Sequence, residues 1–475
     1  MAIPGVGNCE MGLVGLGVMG RNLVLNLTDK GFPVAVYNRT PERTREFMER
    51  EVTWQNIRPG YTLEEFVGLL RRPRAILILV TAGSPMDAVI EELLPLLGPR
   101  DLIIDGGNSH FIDTSRRSRL LAEKGLLFMG LGISGGEQGA RHGPSLMPGG
   151  SPEAYARVQT LLEAIAAQKD GKPCVAYLGN GSCGHYVKMV HNGIEYGLMQ
   201  LLAETYDFMK RGLGLTAPDL AAVYEGWNHT ELHSYLVEIT AKIFRRQDEA
   251  TGQPLVELIL DQAKQKGTGM WTSWDAMDLQ SPTPVIDVAV GMRDLSGYKV
   301  QREEAAQVLP GPPARYHGAP GAIITHLQRA LYAAMVITYA QGLALLSRAS
   351  RAYRYDLNLE AVVRVWRAGC IIRAAVLEDI RGAYQTQPGL PNLLLDPRLG
   401  KEILARQNDL RAVASLAAHQ GLPVPAFMAA LAYFDAYRSP VLPANLTQAQ
   451  RDFFGAHTYE RVDMPGVFHT EWEEE

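Results

Sequence analysis

The stretch "MGLVGLGVMGRNLVLNL", Met11 to Leu27, decides the fold. A short apolar run ends at Gly15, glycines recur at 15, 17 and 20, and a helical pattern begins at once. In a strand–turn–helix unit the three glycines serve different ends. Gly15 permits the tight turn, Gly17 lets a pyrophosphate approach the backbone, and Gly20 lets helix and strand pack closely. The helix N-terminus then faces the phosphates. Leu16, Val18 and Met19 complete this expected dinucleotide cradle.

Outward from the loop, "PVAVYN", "AILILV", "DLIIDG" and "LLFMGLG" alternate with amphipathic segments, the pattern of a parallel sheet with crossover helices. "PVAVYN" ends at Asn38, where an NAD enzyme usually carries Asp or Glu for the ribose hydroxyls. Here stand Asn38, Arg39 and Thr40. A carboxylate would repel a 2′-phosphate, whereas an amide, a guanidinium and a hydroxyl would bind it, so NADP is the expected cofactor. "DGGNS" (105–109) and "GISGGEQGARHGPSLMPGG" (132–150) each follow a strand and would line the ligand crevice. In the second, Ser134, Gly135 and Gly136 offer a hydroxyl and open amides to a polar substrate, or form a plain structural turn.

From about Gly184 the chain changes to long helical stretches rich in Ala, Leu, Met and Tyr. The expected architecture is an α/β Rossmann domain (1–182), a large all-α domain (183–440) and a C-terminal tail (441–475). Within the helical part, "AETYDFMKRGLGL…LAAVYEGWNHTEL" is similar to "AQGLALLSRASRAY…LEAVVRVWRAGCII", which suggests a duplicated helical unit. The tail carries Phe453, Phe454, Tyr459, Phe468 and Trp472, too apolar a set for an idle extension. It packs either on its own domain or on a neighbouring subunit.

The helical part opens with "KMVHNGIEYG", Lys188 to Gly197. At 100° per residue, Lys188, Asn192 and Glu195 fall within about 60° of one another, so an amine, an amide and a carboxyl share one narrow stripe. Such a stripe is either the wet face of a helix or a set of reacting groups. Lys266, Thr268 and Arg293, with Arg451 and His457 of the tail, have the donor types of a phosphate clamp if they converge, and are ordinary surface groups if they do not.

Composition narrows the function classes. With 46 Lys+Arg against 51 Asp+Glu, the chain is too nearly balanced for a dominant nucleic-acid surface. The 4 cysteines form no CxxC pair and the 11 histidines no metal-binding spacing, so a reducing compartment and no metal are expected. The N-terminus has no basic region leading into a long apolar core, and no later segment reaches 18 consecutive apolar residues. A soluble cytoplasmic protein without a membrane partner is the expectation.

Taken together, "GLGVMGRNLVLN", "VYNRT", "IDGGNS", "SGGEQGARHGPSLMPGG", "KMVHNGIEYG", "QKGTGMW", "GCIIR" and "QRDFFGAHTYE" resemble, in order and over nearly the whole chain, the 6-phosphogluconate dehydrogenase family. These are the decarboxylating NADP enzymes of the pentose phosphate pathway. The resemblance implies Lys188 as general base, Glu195 as general acid and Asn192 as a substrate-orienting amide. It implies substrate contacts from Asn108, Ser134, Gly135, Gly136, Tyr196, Lys266, Thr268 and Arg293. Asn108 would also touch the cofactor, as would Val80, Thr81 and Ala82. Arg451 and His457 would complete the site of the other subunit in a homodimer. Thr81, Leu131, His142, Leu198, Met270 and Gly291 depart from the family's usual residues without removing a proposed catalytic group. Two other readings stay open at this point. One is a dehydrogenase of small β-hydroxyacids, against which the length, the duplication and the tail count. The other is a non-catalytic NADPH-binding protein.

Overall fold

The computed structural model describes residues 8–52, 56–312 and 315–472. Residues 1–7, part of the stretch that carries the reading of the N-terminus, lie outside them, as do the final three of the tail. Seven strands form the N-terminal sheet: β1 (Met11–Val14), β2 (Val34–Tyr37), β3 (Ile57–Pro59), β4 (Ala75–Ile78), β5 (Leu102–Asp105), β6 (Leu127–Ser134) and β7 (Ser145–Gly150). Their order is β3-β2-β1-β4-β5-β6-β7, with every pair parallel except β6 and β7. Strands β1, β4 and β5 are buried at every position because helices cover both faces, which is why they read as continuous apolar runs. The chain reverses its direction of winding between β1 and β4, and at such a switch point the loops after the strands open a crevice.

The helical part is organised by two long helices, Cys183–Asp207 (the central helix) and Pro320–Tyr353. They pack closely: a Cβ at Gly197 would press on Thr338, and one at Gly342 on Ile194. The 34-residue helix is long and apolar enough to cross a membrane, but 89% of its most apolar 18-residue window is buried within this domain. The same order of helices occurs twice. Each long helix is followed by a shorter one ending in tryptophan, Ala217–Trp227 and Leu359–Trp366, and then by Tyr235–Arg245 and Val376–Thr386. The two units meet where Ser234 bridges Ala374.

Glycines dock the central helix on the sheet. Carbonyls of Gly130 and Met147 and the amide of Gly149 crowd the Cα of Gly184, and Gly132 on β6 leaves room for the Lys188 stem. The tail forms a helix, Ala444–Gly455, and a small hairpin of Tyr459–Glu460 with Val467–Phe468. Its organiser is the buried Asp452 carboxylate, which accepts bonds from the Thr458 and Thr470 amides, His469 Nδ1 and Trp472 Nε1.

Candidate active site

The Gly-rich turn has the geometry its sequence demands. Gly15 adopts φ +103°, a conformation L side chains rarely take, and a Cβ there would strike the Leu79 carbonyl. Gly20 lies against the Gly15 carbonyl, whereas a Cβ at Gly17 would meet open space at the mouth of helix Val18–Asp29. No side chain caps that helix, so its first amides are open to an anion. At the end of β2, Arg39 and Thr40 are exposed, and Arg39 has no partner among the described residues. Asn38 is buried, and both ends of its amide are engaged locally, with one Nδ2 hydrogen left over. Its Oδ1 accepts from the Leu16 amide at 3.1 Å and its Nδ2 donates to the Thr40 carbonyl at 3.2 Å, so it braces the Gly-rich loop. These groups fit a dinucleotide with a 2′-phosphate, with Arg39 and Thr40 as the phosphate donors.

Val80, Thr81 and Ala82 lie in the turn after β4, with Thr81 exposed. Asn108 is likewise exposed in the loop after β5 and makes no hydrogen bond among the described residues. At the end of β6, Ser134 is buried and Gly135 takes φ +128°, with Gly136 exposed just beyond it.

The polar stripe of the central helix is not a wet face. Lys188 is 7% exposed, and Asn192 and Glu195 are half-buried. Asn192 Oδ1 accepts from Lys188 Nζ and lies 3.0 Å from His191 Nδ1, while its Nδ2 donates to Thr268 Oγ1 at 3.1 Å. His191 Nε2 is 3.3 Å from Ser134 Oγ. One assignment satisfies the chain: Ser134 donates to Nε2, Nδ1–H donates to Asn192, and His191 is neutral. Burial and the nearby Lys188 hold the imidazole well below its usual range despite its bond to Asn192. His191 is a member of this network that sequence reasoning misses, although its place three residues after Lys188 sets it at the edge of the stripe.

Burial pushes the Lys188 ammonium down, against the opposing effect of Glu195. It pushes the Glu195 carboxyl up, against Lys188 and Arg293. Both shifts favour the uncharged forms. Arg293 stacks on Tyr196, its guanidinium carbon 3.3 Å from the ring centroid, and Gly269 allows the other helix to approach the same ring. Thr268 starts helix Thr268–Asp278, with Lys266 exposed just before it.

Thus the structure gathers Ser134, His191, Lys188, Asn192 and Thr268 into one bonded network, with Glu195 and Tyr196 farther along the central helix and Arg293 reaching the Tyr196 ring from helix Pro284–Ser296. It does not bring Arg451 or His457 to that network. Both are exposed on the tail, and among the described residues no hydrogen bond or ion pair joins 444–472 to the rest of the chain.

Comparison with known proteins supplies the family. Residues 10–179 match the model for the NAD binding domain of 6-phosphogluconate dehydrogenase, and 184–472 the model for that enzyme's C-terminal domain. A decarboxylating 6-phosphogluconate dehydrogenase of Synechococcus elongatus is 55% identical over 98% of this chain and 99% of its own. The NADP(+)-dependent decarboxylating enzyme of Bacillus subtilis is 51% identical, again over 98% and 99%. Among solved structures, Plasmodium falciparum 6-phosphogluconate dehydrogenase, described apo, with NADP+ and with 6-phosphogluconate, superposes with a TM-score of 0.95 at 43% identity, covering 98% of this chain and 100% of that one.

Proposed function

The chain belongs to the 6-phosphogluconate dehydrogenase family, and from that premise we propose that it converts 6-phospho-D-gluconate and NADP into D-ribulose 5-phosphate, CO2 and NADPH. The observation that carries this reading is the buried Lys188 joined through Asn192 to His191 and Thr268, seven residues before a half-buried carboxyl whose proton burial favours.

Bound NADP supplies the acceptor for the hydride that leaves C3 of the substrate. The open amides at Gly17, with Arg39 and Thr40, hold the cofactor, and Val80, Thr81, Ala82 and Asn108 face it. Neutral Lys188 takes the C3 hydroxyl proton, which leaves a β-keto acid. Loss of CO2 then places an electron pair on C2, and the Lys188 ammonium returns its proton to the C3 oxygen to give an enediol. Glu195 protonates the carbon that lost the carboxylate while Lys188 removes the enediol proton, which yields the ketone. Transfer of one proton from Lys188 to Glu195 resets the pair. Seven residues of helix give about 10 Å of rise, so the two groups serve different ends of one small sugar acid.

Ser134, Gly135, Gly136, Asn192 and Tyr196 orient the acid, and Lys266, Thr268 and Arg293 take its phosphate. Arg451 and His457 complete the phosphate site of the other subunit in a homodimer. What supports the dimer is the tail itself: Leu446, Phe453, Phe454 and Trp472 line an exposed apolar hollow that this chain leaves uncovered. The cytoplasm is the proposed location, with neither nucleic acid nor membrane as partner. The Rossmann unit ends and the helical unit begins at 182/183, where the central helix starts.

The experiment is to follow absorbance of reduced nicotinamide with 6-phosphogluconate, NADP against NAD, while trapping CO2. Equal yields of NADPH and CO2 are expected. Turnover of a small β-hydroxyacid in preference, or NADPH binding without turnover, would overturn the proposal.

A further inference from the structure

A charged run, "SRRSR" (115–119), reads as a solvated helix face, yet Arg117 within it is 1% exposed. Its guanidinium makes four bonds. Nε donates to Asp87 Oδ1 at 2.7 Å, Nη1 to Asp105 Oδ2 and Ser109 Oγ at 3.1 Å each, and Nη2 to the Gly83 carbonyl at 3.1 Å. Gly83 directly follows Val80–Thr81–Ala82, the turn assigned to the cofactor. Ser109 directly follows Asn108, the one residue assigned to both cofactor and substrate. The Asp105 carboxylate closes the second loop from within, accepting from the Gly107 amide at 3.0 Å and Ser109 Oγ at 2.7 Å.

We propose that Arg117 is a positioning residue which sets the distance between the cofactor turn after β4 and the substrate loop after β5. The inference rests on the function proposed above and adds to it the element that holds the two reactants in register. Two observations favour this role over a purely stabilising one. A buried ion pair is close to break-even against apolar packing of the same volume, so net stability does not explain its presence. All four bonds also run to the two ligand loops or to the helix that starts from one of them, and the planar fork fixes angles as well as distances. Charge is balanced locally, since Arg116 binds the other oxygen of Asp87 at 2.7 Å. Hydride transfer depends steeply on approach, and a displacement of about 1 Å costs on the order of 10²-fold in rate.

The test is Arg117→Lys, which keeps the charge and loses the fork, beside Ser109→Ala, which removes one bond to the fork together with the Ser109–Asp105 bond inside the loop. NADPH affinity is read by cofactor fluorescence, and the deuterium isotope effect on kcat/KM with substrate deuterated at C3. Arg117→Lys should weaken NADPH about 3–10-fold and raise the isotope effect, because a misplaced donor makes the hydride step more limiting; Ser109→Ala should move both in the same direction by less. Arg116→Ala, on the exposed side of Asp87, should match the parent in both. A parent-like NADPH affinity and isotope effect in Arg117→Lys and Ser109→Ala would overturn the inference, whatever happens to kcat through lost folded protein. Should the parent fail to oxidise 6-phosphogluconate, the proposed function falls, while the NADPH arm still decides the role of Arg117 at the cofactor turn.

Discussion

Gly132→Ala is the smallest perturbation that reaches the proposed base. An added Cβ at Gly132 would lie 2.6 Å from Lys188 Cβ, 2.9 Å from the Gly184 carbonyl and 3.2 Å from Lys188 Cγ. Ordinary contact begins at 3.4 Å, so the central helix must move from β6 by up to about 0.8 Å. Neither side yields cheaply, because β6 is fixed between β5 and β7 and the helix is docked through Gly184. Overpacking of this kind costs about 1–3 kcal/mol of stability. The displacement also carries Lys188 away from the position at which it meets the C3 hydroxyl. Misplacement near 1 Å costs on the order of 10²-fold, so kcat should fall roughly 10- to 100-fold in protein that remains folded. Gly12→Ala is the matched control, since its Cβ on β1 would press on Phe66 Cζ at 2.5 Å and Leu70 Cδ1 at 3.0 Å and would touch neither Lys188 nor the central helix. Steady-state kinetics and thermal denaturation on both variants separate the two effects. If Gly132→Ala keeps kcat within twofold of the parent, or if Gly12→Ala loses as much, then the strand–helix contact does not set the position of the base.

In the proposed mechanism the competent form has Lys188 neutral and Glu195 protonated, the forms that burial favours. The kcat/KM profile should therefore be bell-shaped, falling in acid as a second proton binds the pair and in alkali as the last is lost. Glu195→Gln should remove the alkaline limb and leave activity that rises with pH through the depressed Lys188 pKa, at a rate about 10²–10⁴-fold lower; an unchanged alkaline limb would assign it elsewhere. Lys188→Ala and Arg451→Ala should each be inactive alone. Equal mixing with subunit exchange should restore about a quarter of the parent rate, because half the dimers are mixed and each holds one complete site; no recovery in verified mixed dimers would place Arg451 in its own subunit's site. Arg39→Ala should raise KM for NADP about 10- to 100-fold and leave KM for NAD unchanged, and a parallel loss with both cofactors would argue that Arg39 shapes the loop instead of binding the 2′-phosphate.

The parts of this molecule legible in its sequence are those in which one residue type is physically compelled. Gly15 is compelled by its backbone angle, and the apolar runs of β1, β4 and β5 by burial on both faces. The stripe is legible as a grouping because helical periodicity is geometry, but whether it faces water depends on what packs against it. Asn38 shows the opposite limit. Its position after β2 is legible while its role is not, because an amide can brace a neighbouring backbone as readily as it can bind a ligand. Arg117 is hidden because composition assigns a charged run to solvent. Its partners lie 8 to 34 positions away, and only the fold brings them to one guanidinium. The tail's aromatics are legible as too apolar to stand idle, but what they pack against is not, since Phe453, Phe454 and Trp472 are exposed in the single chain.

A physical reason connects the location of Lys188 with its chemistry. An amine on a solvated helix keeps its proton at neutral pH and cannot begin the reaction. Lowering its pKa takes a low-dielectric setting without a strong ion pair to repay the charge. The junction between sheet and helical domain provides this. Four glycines, Gly130, Gly132, Gly149 and Gly184, let helix and strands approach until the Lys188 stem is enclosed. The partner given to the ammonium is the neutral Asn192 side chain, with Glu195 nearly two turns farther along the helix. Asn192 accepts a hydrogen bond from Lys188 in either protonation state, so it orients the amine without fixing its charge. A carboxylate at position 192 would give a firmer contact and a poorer base. Asn192→Asp should therefore raise the Lys188 pKa and move the acid limb of the rate profile upward, even though it adds an attractive interaction to the folded state.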